Sequence, residues 1–201
     1  MRRNEKGVAM RDMFKYGGII ASVILIAFGA GSIAIGAWGI NTVRDNLKQE
    51  QIFFGDAATD PAVPADQSGK QVKTGSQAHE FAGVMRKHAL EATDGQVYAE
   101  MGRFLDPQGN PTSDESKAAK DPKTGQPVAN EARNLWVTET ALTTALNQAY
   151  FGERVGVFGI VMGIALLLTG IGFLVLTLGG ALERTPEAAK EAAPRPATVT
   201  G

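Results

Sequence analysis

The sequence predicts an all-α membrane protein, in which two transmembrane helices form an antiparallel hairpin that carries a small extracytoplasmic helical cap. The first observation behind this fold class is the distribution of charge. Lys, Arg, Asp and Glu are absent from residues 16–43 and again from 155–182, two stretches of 28 residues in a chain of 201. The second is length, because about 20 apolar residues suffice to cross a hydrocarbon core about 30 Å thick. These two stretches take up a large share of the apolar content and leave the remaining sequence hydrophilic. This uneven distribution excludes a conventional soluble domain.

The charges outside the two predicted spans indicate their orientation. Residues 1–15 carry five basic and two acidic side chains, whereas 44–154 carries twelve basic and sixteen acidic ones. Basic residues close to a span tend to stay in the cytoplasm. We therefore expect a basic cytoplasmic N-terminus at 1–15, an extracytoplasmic region at 44–154 and, after an even number of crossings, a flexible cytoplasmic tail at 183–201.

A cleaved signal peptide is the alternative interpretation of the first apolar stretch. The run from Ala34 to Gly36 offers small residues at a cleavage position, and a signal core needs only about 7–15 apolar residues. The stretch continues past this run, through Trp38, as far as Arg44. An uncleaved membrane anchor is therefore the better interpretation.

Small residues recur along both spans at steps of three and four, which is the seam period of a left-handed helix pair. In the first span the series is Gly18, Ser22, Leu25, Gly29, Ser32, Gly36 and Gly39, and in the second it is Gly156, Gly159, Gly163, Leu166, Gly170, Phe173, Thr177 and Gly180. Small residues let helix backbones approach closely where lipid supplies no hydrophobic drive between helices. We expect these residues to pack the two helices together, or to pack copies of the same chain. The alternative is that Gly is simply common in membrane helices.

The spans lack the usual features of a transporter. Apart from Tyr16 at the edge, they contain no ionisable side chain and no Pro, and their polar side chains are mainly hydroxyls such as Ser22, Ser32, Thr169 and Thr177. Charges inside a membrane usually mark a transport pathway, and broken helices mark many transporter sites. A small homo-oligomeric pore lined by backbone and hydroxyl groups stays open as an alternative.

Between the spans, the pattern predicts helices separated by loops. We expect the first helix to continue from Arg44 to Gln51, and mobile loops at 53–75 and 106–130, which are rich in Gly, Pro, Asp and Ser. A helix is predicted from Ser76, as its N-cap, to Thr93, with Asp94 and Gly95 as the stop, and a short second one over 96–104. The helical pattern resumes at Glu131 and continues into the second span, with Leu135, Leu142, Leu146 and Ala149 expected to cover the 76–93 helix.

The inventory of chemically reactive residues predicts no enzyme. The two histidines, His79 and His88, are nine residues apart, which places them on opposite faces of a helix and argues against a shared metal ion. Instead of a metal site, we expect His88 to pack beneath Tyr98 and His79 to be solvated. The chain has no Cys, and it contains neither a G-x-S-x-G elbow nor a phosphate-binding glycine motif. We therefore expect no catalytic residue, metal, cofactor or small-molecule substrate, and the net charge of −4 over 44–154 argues against nucleic acid.

Three runs of sequence carry a resemblance to a known family: RKHALEATDGQVYAEM at 86–101, NLWVTETALTTALNQAYFGERV at 134–155, and GIVMGIALLLTGIGFLVL at 159–176. They resemble a family of small two-span membrane proteins from high-GC Gram-positive (actinobacterial) bacteria. The resemblance implies a bacterial plasma membrane and brings no catalytic motif. Some relatives are labelled aromatic ring-opening dioxygenases, but two histidines on opposite helix faces do not make the iron site that such a reaction needs.

Together these observations predict a non-enzymatic integral membrane protein that acts as a structural or accessory subunit of a cell-envelope assembly. Its expected partners are the lipid bilayer and either further copies of itself or another membrane protein. The homo-oligomeric pore is the first alternative, and a membrane-bound dioxygenase is the second.

Overall fold

A computed structural model describes residues 2–179 of the chain, with side chains from Asp12 onward. In this part the chain forms three α-helices, α1 (Arg2–Gln49), α2 (Gly75–Ala92) and α3 (Glu131–Leu178). Two short strands, β1 (Phe104–Leu105) and β2 (Pro111–Thr112), pair antiparallel between α2 and α3. Two single-turn 3-10 helices, Ala65–Gln67 and Glu115–Lys117, complete the secondary structure. The predicted tail at 183–201, as well as Gly180, lies outside the described residues.

Two helices in the described part are long and apolar enough to cross a membrane, within Asp12–Gln49 and Glu131–Leu178. In the most apolar window of each, only 11% of the residues are buried within the chain. A core helix of a soluble protein would bury most of such a window, whereas a helix that is hydrophobic on all sides needs an apolar medium around it. Helix α1 continues past the predicted span, as the sequence predicts, but ends at Gln49 rather than Gln51. Helix α3 runs unbroken from Glu131, as predicted.

The chain divides into two compact units. Within the described residues, one unit comprises 2–37 together with 157–179, and the other comprises Trp38–Gly156. Helices α1 and α3 each contribute residues to both units. The core described next belongs to the second unit alone.

The core of the second unit combines all three helices with the loop that precedes α2. Buried Leu47, Val84 and Leu146 come from α1, α2 and α3, while Phe54 and Val72 come from the loop. Residues 53–75 were predicted to be a mobile loop, and the prediction did not include this contribution to the core. The reason is that the apolar side chains of the loop occur as adjacent pairs, such as Phe53 and Phe54, or singly, as at Val72, so no helical or strand period marks them.

Helix α2 begins slightly earlier than predicted. The side chain of Thr74, rather than that of Ser76, caps the helix by accepting a hydrogen bond from the Gln77 amide. The predicted stop is confirmed, since the Gly95 amide bonds to the Leu90 carbonyl and Gly95 has a φ of 77°, which glycine adopts without steric cost. On α3, Leu146 is buried and Ala149 packs against the core as expected, whereas Leu135 and Leu142 are exposed.

The predicted short helix over 96–104 is wrong. The Glu100 carboxylate accepts a hydrogen bond from the Val97 amide and closes a turn, and Phe104 then pairs with Thr112. The side chain of Asp106 holds the turn between β1 and β2 by accepting from the Asn110 amide at 2.8 Å. Backbone hydrogen bonds from Ala119 to Leu105 and from Val128 to Ala119 connect the rest of 106–130 to this turn. The predicted mobility of the segment stays a prediction.

Candidate functional site

The small residues predicted to pack the two apolar helices lie on one face of each helix. We call this face the small-residue seam. On α1, the buried members are Ser22, Gly29 and Gly36, and the half-buried members are Gly18, Ser32 and Gly39. On α3, Gly156, Gly163 and Gly170 are buried and Gly159 is half-buried. The buried positions are seven residues apart on both helices, which is the spacing at which side chains return to the same side of a helix pair.

The closest approach of the two backbones is at Gly29 and Gly163. A Cβ atom added to Gly29 would lie 2.7 Å from the carbonyl oxygen of Gly163 and 2.7 Å from the Leu167 amide nitrogen. A Cβ atom added to Gly163 would lie 2.7 Å from the Gly29 carbonyl oxygen. Any side chain at either position would collide with backbone atoms, so this contact requires glycine on both helices.

Contacts on either side of this point show how far the seam extends. Gly170 packs against Ile26, and Gly18 packs against Thr177. At the other end, Gly159 makes ordinary van der Waals contact with Gly36. Residue numbers rise along α1 as they fall along α3, so the two helices run in opposite directions. Gly39 does not join the close contacts, because an added Cβ atom there would meet nothing within 4 Å.

The hydroxyl groups in the seam are satisfied by backbone carbonyls. Ser32 Oγ donates across the interface to the Gly159 carbonyl at 2.8 Å. Ser22 and Thr177 each donate to the carbonyl four residues earlier in their own helix, at 2.7 Å. These bonds stabilise the packing without leaving a buried polar group unpaired. Phe173, expected on the seam, is instead exposed, and the adjacent Leu174 is half-buried.

A second cluster, in the Trp38–Gly156 unit, centres on the carboxylate of Glu153. One oxygen accepts a hydrogen bond from the Arg44 guanidinium at 2.6 Å, and the other accepts from the backbone amide of Gly75. Burial raises the pKa of Glu153, but the hydrogen bonds from Arg44 and Gly75 and the positive charges of Arg44 and Arg154 outweigh burial, so the net pKa lies below its usual value. The carboxylate thus joins all three helices, because Gly75 is the first residue of α2.

The ion pair was not predicted, although the sequence contains a signal for it. Arg44 is the first charged residue after the first predicted span, and Glu153 is one residue from the last charged residue before the second. Helices that run in opposite directions bring such positions to the same level. Opposite charges at these two positions therefore favour an ion pair between the helices.

The Glu153 network makes the stability of the second unit depend on pH. Because the folded pKa is lowered, the stabilisation is full above the usual pKa of 4.5 and is lost as the pH falls through the folded value. We expect Glu153→Gln to lower the thermal midpoint in detergent at about pH 7, and the difference from wild type to shrink towards about pH 4. Near-ultraviolet circular dichroism of the aromatic side chains provides the measurement.

The matched control for this experiment is Glu80→Gln. Glu80 lies on the exposed face of α2, so its substitution should leave the midpoint unchanged at both pH values. A wild-type advantage over Glu153→Gln that stays constant from neutral to acidic pH would contradict the assigned role.

The two histidines lie on α2 but have different partners. His79 Nδ1 is 2.7 Å from the Asn147 side-chain oxygen, and its ring stacks on Tyr150 with 4.8 Å between centroids. His88 Nε2 is 2.9 Å from an Asp60 carboxylate oxygen, so the expected packing beneath Tyr98 is wrong. Among the residues that the structure describes, no group of three or more His, Asp or Glu side chains could hold a metal ion.

Comparisons of the chain with protein-family models, with curated proteins and with solved structures find no match. The resemblance to the two-span actinobacterial family therefore stays an expectation from the sequence. The two features of the chain that bear on its function are the small-residue seam and the exposed apolar surface of α1 and α3.

Proposed function

We propose that this chain is an integral protein of the plasma membrane with two spans, at 16–43 and 155–182, that form an antiparallel hairpin. Residues 44–154 form an extracytoplasmic helical cap, and both termini are cytoplasmic. The observation that carries the proposal is the combination of a tightly packed seam with apolar side chains exposed on the other faces of the same helices. Examples are Phe28, Ile35, Phe158 and Leu168, each of which is more than half exposed. Lipid is the medium that accommodates such faces at the lowest free energy.

We further propose that the protein acts as a non-enzymatic structural or accessory subunit of a membrane assembly. The support is the close packing of the two apolar helices at Gly29 and Gly163, and the use of the Glu153 carboxylate to join three helices. The same observations disfavour the pore. Within the described part of the spans, the hydroxyls of Ser22, Ser32 and Thr177 lie in the seam and bond to carbonyls. Thr169 is exposed outside the seam, but its hydroxyl also donates to a carbonyl, that of Ala165, so all four hydroxyls have a partner within the helix pair.

The topology has a direct test, because the native chain contains no Cys. Single variants Ser116→Cys and Ala197→Cys are expressed in cells, which are then treated with a membrane-impermeant maleimide. Ser116 is exposed in the 106–130 segment, so we expect rapid labelling there in intact cells. Ala197, in the predicted cytoplasmic tail, should label only after the membrane is permeabilised.

Other labelling patterns would contradict this topology. Equal labelling of both positions in intact cells would place the tail outside, and recovery of the intact chain in the soluble fraction would contradict membrane insertion altogether. The subunit role is tested separately by cross-linking in native membranes. A chain that is recovered only as a monomer would contradict that role while leaving the topology in place.

A further inference from the structure

The second unit contains an open groove beside its core, with a volume of roughly 700 Å³. The groove is formed by the last two turns of α1, by Phe81 and Met85 of α2, and by the segment of α3 from Leu142 to Ala149. Its size is in the range of small-molecule sites, about 300–1,000 Å³. It is distinct from the small-residue seam and from the Glu153 network.

The chemistry of the groove suits a hydrocarbon chain. Its walls are mostly apolar, and the polar residues that contribute to it, Asn46, Glu50 and Gln148, are all exposed. No Lys or Arg lines the groove, so it offers no counter-charge to a phosphate or a carboxylate. Leu142 lies on its edge with 48% of its surface exposed, which leaves a large apolar side chain in contact with water when the groove is empty.

The position of the groove along the chain indicates where a hydrocarbon ligand comes from, and this step rests on the proposed function. Val43, which lines one end, is the last residue of the first predicted span. From Val43 the groove follows α1 to its end at Gln49 and reaches Glu50 just beyond it, a length of about 10 Å. One end of the groove is therefore at the level where the hydrocarbon of the bilayer begins.

We propose that the groove binds the acyl chain of a membrane lipid. Moving an acyl chain from the bilayer into the groove exchanges one apolar environment for another, so the transfer free energy of the acyl chain itself is small. The walls of the groove, including Leu142, Phe81 and Met85, are removed from water at the same time, and this burial supplies the driving force. The cap thereby holds one lipid tail.

The test uses the full-length chain reconstituted in vesicles of phosphatidylethanolamine and phosphatidylglycerol. A trace of phosphatidylethanolamine carries a photoreactive diazirine at the end of one acyl chain, and adducts are mapped by mass spectrometry after irradiation. We expect adducts within both spans and also at Phe81, Met85 and Leu142. Ala145 is exposed and lines the groove, so Ala145→Trp fills the groove without displacing the core. This variant should lower the groove adducts about tenfold and leave the span adducts unchanged.

Ala141→Trp is the matched control, because Ala141 is also exposed on α3 but does not line the groove. It should keep the wild-type pattern. Adducts that are confined to the spans would overturn the lipid site while supporting membrane insertion. Equal groove labelling in both Trp variants would also overturn it, whereas an absence of adducts in the spans would contradict the proposed function itself.

Discussion

Gly163→Leu is expected to separate the two apolar helices and to lower the stability of their packing by about 3 kcal/mol, the upper part of the usual range for overpacking. A Cβ atom at this position would lie 2.7 Å from the Gly29 carbonyl oxygen and 2.9 Å from the Ile33 amide nitrogen. Both are backbone atoms of the opposite helix, so no rotamer change relieves the collision. The helices must move apart, which also breaks the hydrogen bond from Ser32 to the Gly159 carbonyl.

Pyrene excimer emission gives a direct measurement of this separation. Tyr16 and Leu178 are exposed and lie within two residues of the contact between Gly18 and Thr177, so we expect pyrenes attached to Tyr16→Cys and Leu178→Cys to interact. The labelled protein in dodecyl maltoside is titrated with sodium dodecyl sulfate, and loss of excimer emission marks helix separation. We expect Gly163→Leu to lose the excimer at a much lower fraction of sodium dodecyl sulfate than the parent protein.

The control is Gly172→Leu, which makes the same substitution in the same helix. A Cβ atom at Gly172 would meet nothing within 4 Å, so this variant adds leucine and helix propensity without a collision. Gly29→Leu, on the other side of the contact, should reproduce the effect of Gly163→Leu. If Gly163→Leu and Gly172→Leu separate at the same detergent composition, the close contact at Gly163 does not hold the helices together.

Sequence periodicity identified most of the seam because the seam is a local property of each helix. Steps of three and four residues select one face regardless of the partner, and Gly29, Gly163 and Gly170 all lie on that face. The pattern failed at Phe173, where Leu174 occupies the half-buried position instead. One residue along a helix turns the side chain by about 100°, so a large apolar residue next to the seam is a poor indicator of its exact line.

Contacts between distant residues were not predictable in the same way. The carboxylate of Glu153 bonds to the Gly75 amide 78 residues away, and a backbone amide carries no sequence signal at all. The strand pair at Phe104 and Thr112 involves only two residues on each side, too few for an alternating pattern to be recognised. The long helices could therefore be predicted from composition and period. The packing of residues 44–154 could not, because it depends on contacts between residues far apart in the sequence.

Trp136→Ala is expected to have the largest effect on the cap, a loss of about 3–5 kcal/mol. Trp136 is 3% exposed, and its indole nitrogen donates to the Gln96 carbonyl at 3.0 Å and to the Thr93 hydroxyl at 3.2 Å. The Arg86 guanidinium lies 4.9 Å from the centre of its ring. The side chain therefore joins the start of α3 to the end of α2. Truncation leaves a cavity and removes the indole donor from the Thr93 hydroxyl and from the Gln96 carbonyl, which keeps its bond from the Thr93 hydroxyl.

Hydrogen exchange detected by mass spectrometry measures this loss in the full-length chain in detergent. The Gly95 and Gln96 amides bond to the Leu90 and Thr93 carbonyls, and they report opening at the end of α2. If these amides exchange through opening of the cap, a loss of 3 kcal/mol should speed their exchange by about a hundredfold, since about 1.4 kcal/mol corresponds to a factor of ten. Trp136→Phe keeps most of the ring but removes the donor, so we expect an intermediate effect.

Trp38→Ala provides the comparison that separates burial from residue type. Trp38 is 70% exposed, so the same substitution there removes no packing from the cap and should leave exchange at Gly95 and Gln96 unchanged. Unchanged exchange in Trp136→Ala would mean that the indole does not hold α2 to α3. Equal acceleration of exchange in both variants would mean that the cap responds to the loss of either tryptophan. That result would contradict the role assigned to the burial of Trp136.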